Sequence, residues 1–209
     1  MEILRSLIKK IIKFFYYERV VLYGYDLRVM HDFEFKTDMR MRKASLEDVE
    51  KLYQDELNTD ITSIPLKVWK EKILKGLWKG FILLDGNAIV AQAFYSVEDV
   101  FVGGTKRVLL NLPLDSAYGF KLFTRPDYRG KKLGQAITSF RLNNAKKEGI
   151  KKFYTIIYAD NVVSRHNEEK IGGYLVGSII FLKCRFFNKV FFTPGIGRAG
   201  FTVKEIRDF

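Results

Sequence analysis

The order in which strand and helix patterns follow one another constrains the fold of this 209-residue chain more than any other feature. One strand and two helices come first, a run of strands joined by tight turns follows up to residue 124, and strands then alternate with helices beyond residue 132. Tight turns join antiparallel strands, whereas a helical crossover joins parallel ones. The sequence therefore predicts an α+β (mixed α/β) fold with a mixed, mostly antiparallel central sheet flanked by helices.

Local patterns place these elements along the chain. Alternating polar and apolar residues predict a half-buried strand over 33–42, and Ser45 with Asp48 forms a capping box that begins a helix. Pro65 suits the first turn of a second helix over 65–78. The other predicted strands are 81–84, 89–95, 100–102, 107–112, 117–124, 153–158, 176–181 and 189–193. The other predicted helices are 133–147 and 161–171.

The N-terminal segment differs from the rest in its pattern. Apolar residues recur there at helical spacing, with lysines on the opposite face: Leu4, Leu7, Ile8, Ile11, Ile12 and Phe15. Residues 1–17 are therefore predicted to form a basic amphipathic helix, followed by an extended segment to residue 32, with the main domain at 33–209. Two interpretations of the helix are open: it lies on an anionic membrane surface, or it packs on its own domain or on a partner subunit as a dimer contact.

Charge and cysteine content limit the partners and the compartment. The formal net charge is +12, which favours anionic partners such as nucleotide phosphates, nucleic acid or an acidic membrane. No nucleic-acid-binding signature is recognisable, so no nucleic-acid partner is expected. The single cysteine, Cys184, allows no intrachain disulfide and no cysteine-rich metal site. With no membrane span or secretory signal in the sequence, a cytoplasmic protein is expected, peripheral at the membrane surface if the amphipathic helix docks there.

The most informative stretch joins the strand predicted at 117–124 to the helix predicted at 133–147. Pro126 stops strand pairing, and the turn Arg129-Gly130-Lys131-Lys132 then opens the helix. A helix start presents unpaired main-chain N–H groups and a positive dipole end, which together with these cations suit a pyrophosphate. The residues alone fit an ordinary strand-to-helix turn on a basic surface equally well, so both interpretations are open.

This junction resembles that of the GNAT superfamily of acyl-CoA-dependent N-acyltransferases, whose motif has the form Arg/Gln-x-x-Gly-x-Gly/Ala. Arg129 occupies the first position and Gly134 the last, whereas Lys132 stands where a glycine is usual. The resemblance implies that N–H groups between Lys131 and Gln135 bind the pyrophosphate and that the preceding strand pairs with the pantetheine arm. The residues implied at this junction are Leu122, Phe123, Thr124, Arg129, Gly130, Lys131, Lys132, Leu133, Gly134 and Gln135.

Two further stretches agree with this resemblance, which covers residues 36–182. Residues 161–174 look like the later helix of the superfamily, and residues 41–49 look like its first strand and helix. Asn161 would face the pantetheine amide, with Ser164 beside it. Asn161 equally suits a simple helix cap, so its role has two interpretations.

The acid and base positions depart from the superfamily pattern. Many members carry a base Glu about eleven residues before the phosphate-motif Arg, a position that Tyr118 occupies here, with Asp115 as the nearest carboxylate. The position of the usual acid Tyr on the later helix holds Glu168, whose charged neighbours are typical of a solvated face. The candidate catalytic residues are therefore Tyr118, Asp115 and Glu168.

The resemblance implies a transferase that moves an acetyl (acyl) group from acetyl-CoA, or another acyl-CoA, to a primary amine of a small molecule or peptide. No metal is implied. The alternative is a catalytically weak or inactive GNAT-like module that only binds acyl-CoA, and the replaced acid and base positions favour it.

Two other signals do not support a site. Residues 195–200 spell a dinucleotide-binding Gly pattern, but only nine residues follow it, so no βαβ unit can form and a loop is expected. His31 lies near Asp26, Asp32 and Glu34 without a second histidine or a cysteine, which makes no recognisable metal-ligand set.

Overall fold

A computed structural model describes residues 16–31, 38–55, 57–58, 61–102, 108–183 and 188–205. The strands within them, in chain order, are β1 Tyr16–Asp26, β2 Arg40–Lys43, β3 Trp78–Asp85, β4 Ala88–Ser96, β5 Val100–Val102, β6 Val108–Asn111, β7 Ser116–Thr124, β8 Lys152–Tyr158, β9 Tyr174–Lys183, β10 Asn188–Phe192 and β11 Thr202–Glu205. The α-helices are α1 Leu46–Gln54, α2 Leu66–Leu74, α3 Leu133–Lys147, α4 Val162–Lys170 and α5 Pro194–Arg198. The structure confirms the predicted α+β class.

Eight strands form the central sheet in the order β10-β9-β1-β8-β7-β4-β3-β2. All neighbouring pairs are antiparallel except β7 and β8, which run parallel because α3 crosses over between them. A second sheet, β11-β6-β5, lies beside it. The mixed, mostly antiparallel sheet predicted from the order of elements is therefore confirmed.

Strand β1 is an integral part of the central sheet. It pairs antiparallel with β8 on one side and with β9 on the other. The extended half of the predicted N-terminal unit is thus continuous with the main sheet. Tyr16 and Tyr17 pair with β9, so the amphipathic helix predicted over 1–17 does not include them. The remainder of that predicted helix and Cys184 lie outside the described residues.

Alternation along the strands distributes the core over both faces of the sheet. Phe81 and Leu83 of β3 pack beneath α3, whereas Ile82 and Leu84 face the opposite side, under α1 and α2. The small sheet and α5 cover that second face over β1, β8 and β9, where Leu22 is fully buried. Helices α3 and α4 therefore lie on one face of the sheet, and α1, α2 and the small sheet lie on the other.

Three predicted elements differ from the structure. The strand predicted over 33–42 is β2, which begins only at Arg40 after a bend at residues 38–39, and residues 33–37 lie outside the described residues. The second helix ends at Leu74 instead of residue 78, because Gly76 adopts a φ of 70° and the Leu77 N–H donates to the Lys72 carbonyl at 2.9 Å. This is a Schellman-type helix end, and it leaves Trp78 to begin β3. The Gly pattern at 195–200 forms the short helix α5 up to Arg198 instead of a loop.

The capping box predicted at Ser45 and Asp48 is present. The Ser45 hydroxyl accepts from the Asp48 N–H at 3.2 Å, and the Asp48 carboxylate accepts from the Ser45 N–H at 2.7 Å. Arg42 of β2 also donates to this buried carboxylate at 2.5 and 2.9 Å, which ties the helix start to the sheet. Burial raises the pKa of Asp48, but the hydrogen bonds from Arg42 and Ser45 outweigh it and hold the pKa at about 2.

Replacing Asp48 by asparagine is expected to lower the free energy of unfolding by about 1–3 kcal/mol at neutral pH, because the ion pair with Arg42 is lost and an NH2 group replaces one of the two oxygens that accept from Arg42 and Ser45. The folded-state pKa lies below the unfolded value of about 3.9, so this stabilisation is present above about pH 4 and is lost as the pH falls toward 2. Urea denaturation from pH 7 to pH 3 measures both effects. Glu47→Gln, which breaks only an exposed pair with Lys51, serves as the control; an equal loss in the two variants would contradict the prediction.

Candidate active site

The site is a cleft that opens where β7 and β8 separate. Their parallel ladder ends at the pair Gly119 and Thr155, although β7 continues for five more residues and β8 for three. The resulting cleft has a volume of about 1370 Å³. Val68 of α2 and Asn161 before α4 both line it, so the cleft runs through the sheet from one face to the other.

Beyond the separation point, one edge of β7 is open to a ligand. Residues 120–124 still pair with β4 on one side, but no described strand pairs with them on the β8 side. A bulge lies in this part of β7: Lys121 has a φ of 52°, and the register with β4 shifts at that level. Of the predicted pantetheine-binding residues, Leu122 lines the cleft, and Phe123 and Thr124 continue along the same edge. An extended chain can therefore add to this edge as a strand.

The predicted phosphate turn lies directly after β7. A short 3-10 turn, Pro126–Tyr128, leads into Arg129, and α3 begins at Leu133. Gly130 and Lys132 adopt φ values of 79° and 59°, and the N–H groups of residues 130–134 donate to no main-chain carbonyl of the described chain. Free N–H groups at a helix start, surrounded by exposed cations, fit a pyrophosphate.

Gln135 differs from the other predicted phosphate-turn residues. Its N–H already donates to the Lys132 carbonyl at 3.0 Å, so that group is not open to a phosphate. Its side-chain amide donates to the Asn167 Oδ1 at 2.8 Å. Gln135 therefore connects α3 to α4.

Lys132 adopts a left-handed conformation, which explains why glycine is usual at this place in the motif. Lys132→Gly is expected to raise the free energy of unfolding by about 0.5–1 kcal/mol, the relief of strain being partly offset by greater freedom of the unfolded chain. Thermal or urea denaturation measures this change in the free energy of unfolding. Lys131→Gly removes the same charge at a position without positive φ, so that variant is expected to lose stability; equal signs for the two variants would refute the explanation.

Both interpretations of Asn161 are compatible with its position. Its Oδ1 accepts from the Ser164 N–H at 3.1 Å and so caps α4, and the residue also lines the cleft. No described residue accepts a hydrogen bond from its Nδ2, which leaves a donor for an amide carbonyl. Ser164 lies one turn further along the same wall.

Glu168 lies in a buried position, in contrast to the solvated face that its charged neighbours suggest. Its residue exposure is 3%, and it lines the cleft below Ser164. The Tyr25 hydroxyl donates to its carboxylate. Burial raises the pKa of Glu168, and the charge of Arg141 and the Tyr25 hydrogen bond only partly oppose this effect. The group is thus a carboxylic acid that holds its proton at higher pH than an exposed glutamate does.

Tyr118 lies within the cleft, whereas Asp115 does not. Tyr118 is half-buried beside Phe120, and burial raises the pKa of its hydroxyl. Asp115 precedes β7 at the opposite end from the phosphate turn, and its exposed carboxylate pairs with Lys151 at 2.7 Å. The structure therefore brings Tyr118 and Glu168 into one cleft and leaves Asp115 on the outer surface.

Three further charged residues at or behind the cleft were not found from the sequence. Glu18 of β1 is 8% exposed and lines the cleft on the side away from α4, where Glu98 pairs with Lys72 at 2.6 Å. Arg141 lies in the buried face of α3. Glu18 lies two residues before the buried Val20 and so on the same face of β1, and a charge on that face was a usable signal.

Neither a cluster of metal-ligating side chains nor a membrane-spanning helix occurs in the parts of the chain that the structure describes. No group of three or more His, Cys, Asp or Glu side chains is placed there to hold a metal ion. No described helix combines the length and the hydrophobicity of a transmembrane segment.

Comparison with solved structures gives similar folds. A putative acetyltransferase of the GNAT family from Novosphingobium aromaticivorans matches with a TM-score of 0.58 at 13% identity, covering 79% of this chain and 63% of that one. A GCN5-related N-acetyltransferase from Kribbella flavida matches with a TM-score of 0.57 at 13% identity, covering 86% and 64%. The chain thus spans less than two thirds of the length of these proteins, and at such identities the likeness concerns the fold. A comparison with curated proteins found no significant match.

Strands β7 and β8 run parallel and then separate beside the start of α3. The overall fold is similar to that of the two acetyltransferases named above. The model of the Acetyltransferase (GNAT) family matches residues 46–185, more than half of the chain. The chain belongs to this family.

Proposed function

We propose that the protein transfers an acetyl group from acetyl-CoA to the primary amine of a small molecule or peptide. The observation that carries the proposal is the cleft itself, which joins the open edge of β7 on the cofactor side to a separate chamber on the opposite face of the sheet. A transferase needs such a passage because two substrates must meet within it.

The cofactor side fits CoA in three respects. The free N–H groups of residues 130–134 and the exposed cations Arg129, Lys131 and Lys132 suit its phosphates. The open edge of β7 suits the amides of the pantetheine arm. Asn161 offers a side-chain donor on the opposite wall. Acetyl-CoA supplies the activated acyl group when bound, and these residues orient it.

The acceptor side combines aromatic walls with carboxylates. Trp78, Phe101 and Phe120 line it, together with Glu18 and the paired Glu98. Carboxylates attract the protonated form of an amine and can take up its proton, directly or through water. The sequence places aromatics in this region but does not distinguish wall from core; the structure places Trp69 in the core with 0% exposure and Trp78 at the cleft.

The chemistry assigned to the cleft requires two proton movements. The attacking nitrogen must lose a proton, and the thiolate of CoA must gain one when the bond between carbonyl carbon and sulfur breaks. We assign the second transfer to the carboxyl of Glu168, since burial raises its pKa and so favours the protonated form, and it lies on the cofactor wall. The Tyr118 hydroxyl is a second candidate donor in the cleft, and Asp115 is not assigned a role because it lies outside.

Release of free CoA thiol from acetyl-CoA, in the presence of a panel of primary amines, tests the proposal. Amine-dependent thiol release with mass-detected acetylated product is the expected result. Binding of acetyl-CoA without release for any amine would support the second candidate function, an acyl-CoA-binding module, which the replacement of the usual base by Tyr118 favours. No effect of acetyl-CoA on the melting temperature would contradict both.

The role of the N-terminal segment is tested separately. We propose peripheral contact with anionic membranes through the basic amphipathic pattern, with a dimer contact as the alternative. Liposome sedimentation and light scattering, on the full chain and on a variant lacking residues 1–14, distinguish the two. The truncation leaves β1 whole.

A further inference from the structure

Three titratable side chains form a buried cluster behind the cleft wall. Tyr25 comes from β1, Arg141 from α3 and Glu168 from α4, and their exposures are 1%, 1% and 3%. The elements that carry them are far apart in the sequence and converge only in the folded chain. Charged side chains are seldom buried so completely unless something other than packing requires them.

Arg141 lies directly beneath the point where the sheet opens. Its Nη1 donates to the Phe94 carbonyl at 3.1 Å, beside the register shift between β4 and β7. A Cβ on Gly119, the last residue of β7 paired with β8, would lie 2.8 Å from that same nitrogen, so only glycine fits there. The guanidinium also lies 5.0 Å from the ring of Phe153. These contacts leave the cation little freedom to move.

Burial removes water from the charged guanidinium of Arg141, and few hydrogen bonds within the protein replace that water. Its Nε and Nη2 have no hydrogen-bond partner within the described part of the chain. An apolar side chain of similar volume would stabilise such a core at least as well. The charge therefore does not serve packing, and the charge that stabilises it most is that of Glu168 in its ionised form.

Tyr25 holds Glu168 from the other side. The Tyr25 hydroxyl donates to the Glu168 carboxylate. A Cβ on Gly173 would lie 2.9 Å from the Tyr25 hydroxyl oxygen, so a glycine there leaves room for the tyrosine. Its ring packs edge-on against Phe153 at 6.4 Å. Strand β1, which carries Tyr25, lies outside the residues 46–185 that the family model covers.

We propose that Tyr25 and Arg141 are positioning residues for the Glu168 carboxyl at the cleft wall: the Tyr25 hydroxyl holds it through its hydrogen bond, and the fixed charge of Arg141 behind it acts on it electrostatically, so that it is oriented to donate a proton. The active site then includes a strand from outside the family-matched region. This inference rests on the proposed role of Glu168 as the proton donor.

The proposal has a consequence for the pH dependence. Burial raises the pKa of Glu168, and both Arg141 and the Tyr25 hydrogen bond lower it. Two other sets of titratable groups lie near this cluster. Tyr118 of β7 interacts with Arg141, and Tyr23 of β1 interacts with Arg165 and Glu169 of α4. Removing either positioning group should therefore raise the pKa of Glu168 and move the alkaline limb of kcat upward.

Two variants and a rescue test this on the full chain. Tyr25→Phe deletes one hydroxyl and is expected to move the alkaline limb up by about one pH unit, with the KM for acetyl-CoA unchanged. Arg141→Met is expected to move it up by roughly one to three units, and Arg141→Lys to return it toward the wild-type value. Tyr95→Phe is the matched control, because Tyr95 is as buried a residue as Tyr25 and its hydroxyl donates to Glu148, which does not line the cleft.

A carbon NMR titration of glutamate carboxyls gives a readout independent of turnover, with the Glu168 signal assigned by its loss in Glu168→Gln. The same upward shifts in both variants and none in Tyr95→Phe are expected. If the wild type acetylates an amine but the Glu168 midpoint is unmoved in Tyr25→Phe and Arg141→Met, the inference is overturned while the proposed function stands. If no amine is acetylated, the proposed function fails, and the positioning role fails with it whatever the titration shows.

Discussion

Glu168→Gln is expected to lower kcat about 100-fold while the affinity for acetyl-CoA stays within a factor of about two. The amide keeps the shape of the carboxyl and can still accept from Tyr25, but it has no proton to give to the departing thiolate. Because the acid form is the active one and its pKa is raised by burial, wild-type kcat should fall as the pH rises through that pKa. The variant should lack this limb. Steady-state kinetics from pH 6 to pH 10 measure both effects.

The neighbouring residue offers a matched control. Glu169→Gln changes an exposed carboxylate on the same helix, one that accepts from Tyr23 at 2.5 Å and does not line the cleft. It is expected to leave kcat within about twofold, as a surface change does. A kcat for Glu168→Gln within threefold of wild type, at unchanged melting temperature, would exclude Glu168 as the proton donor and leave Tyr118 as the candidate.

The raised pKa of Glu168 also predicts how the free energy of unfolding depends on pH. A carboxyl whose pKa is higher in the folded state contributes stability that is present at low pH and is lost as the pH rises through the folded value. Glu168→Gln has no carboxyl to ionise, so the variant does not lose this stability as the pH rises. The variant is therefore expected to be more stable than the wild type at alkaline pH, where the buried carboxylate of the wild type would be charged.

Local signals in the sequence were sufficient for most elements but not for their long-range arrangement. Helix α3 has the predicted bounds Leu133–Lys147, because Gly149, with its φ of 85°, ends the helix and the phosphate turn begins it. Strand β1 was predicted as extended, yet nothing near it in the chain shows that it inserts between β8 and β9. Pairing of that kind depends on partners more than 100 residues away.

The burial of the charged residues at the site also depends on long-range contacts that the local sequence does not show. Glu168 carries charged neighbours, and its burial depends on Tyr25, which is 143 residues away. Arg141 follows Ile137 by four residues on the buried stripe of α3, so that a charge within an apolar stripe was a signal available in the sequence. The position of the turn before α3 was predicted more completely, because it depends on contiguous residues.

Gly134→Ala is expected to weaken acetyl-CoA binding about tenfold or more without destabilising the protein. A Cβ at Gly134 would meet only the Thr124 hydroxyl, at an ordinary contact distance of 3.6 Å, so the free protein accommodates it. Alanine also favours a helix over glycine by about 1 kcal/mol, which should raise the melting temperature by roughly 2–4 °C. The added methyl group would, however, project from the first turn of α3, where we place the pyrophosphate.

Opposite signs for stability and affinity make this substitution decisive, because a misfolded variant would lose both. Calorimetric titration with acetyl-CoA measures the affinity, and thermal denaturation of the free protein measures the stability. Gly197→Ala is the matched control: it adds the same methyl group to helix α5, where nothing lies within 4 Å, and should change neither affinity nor fold. Undiminished affinity in Gly134→Ala would place the CoA phosphates elsewhere than the helix start, and the phosphate turn would then be an ordinary strand-to-helix connection on a basic surface.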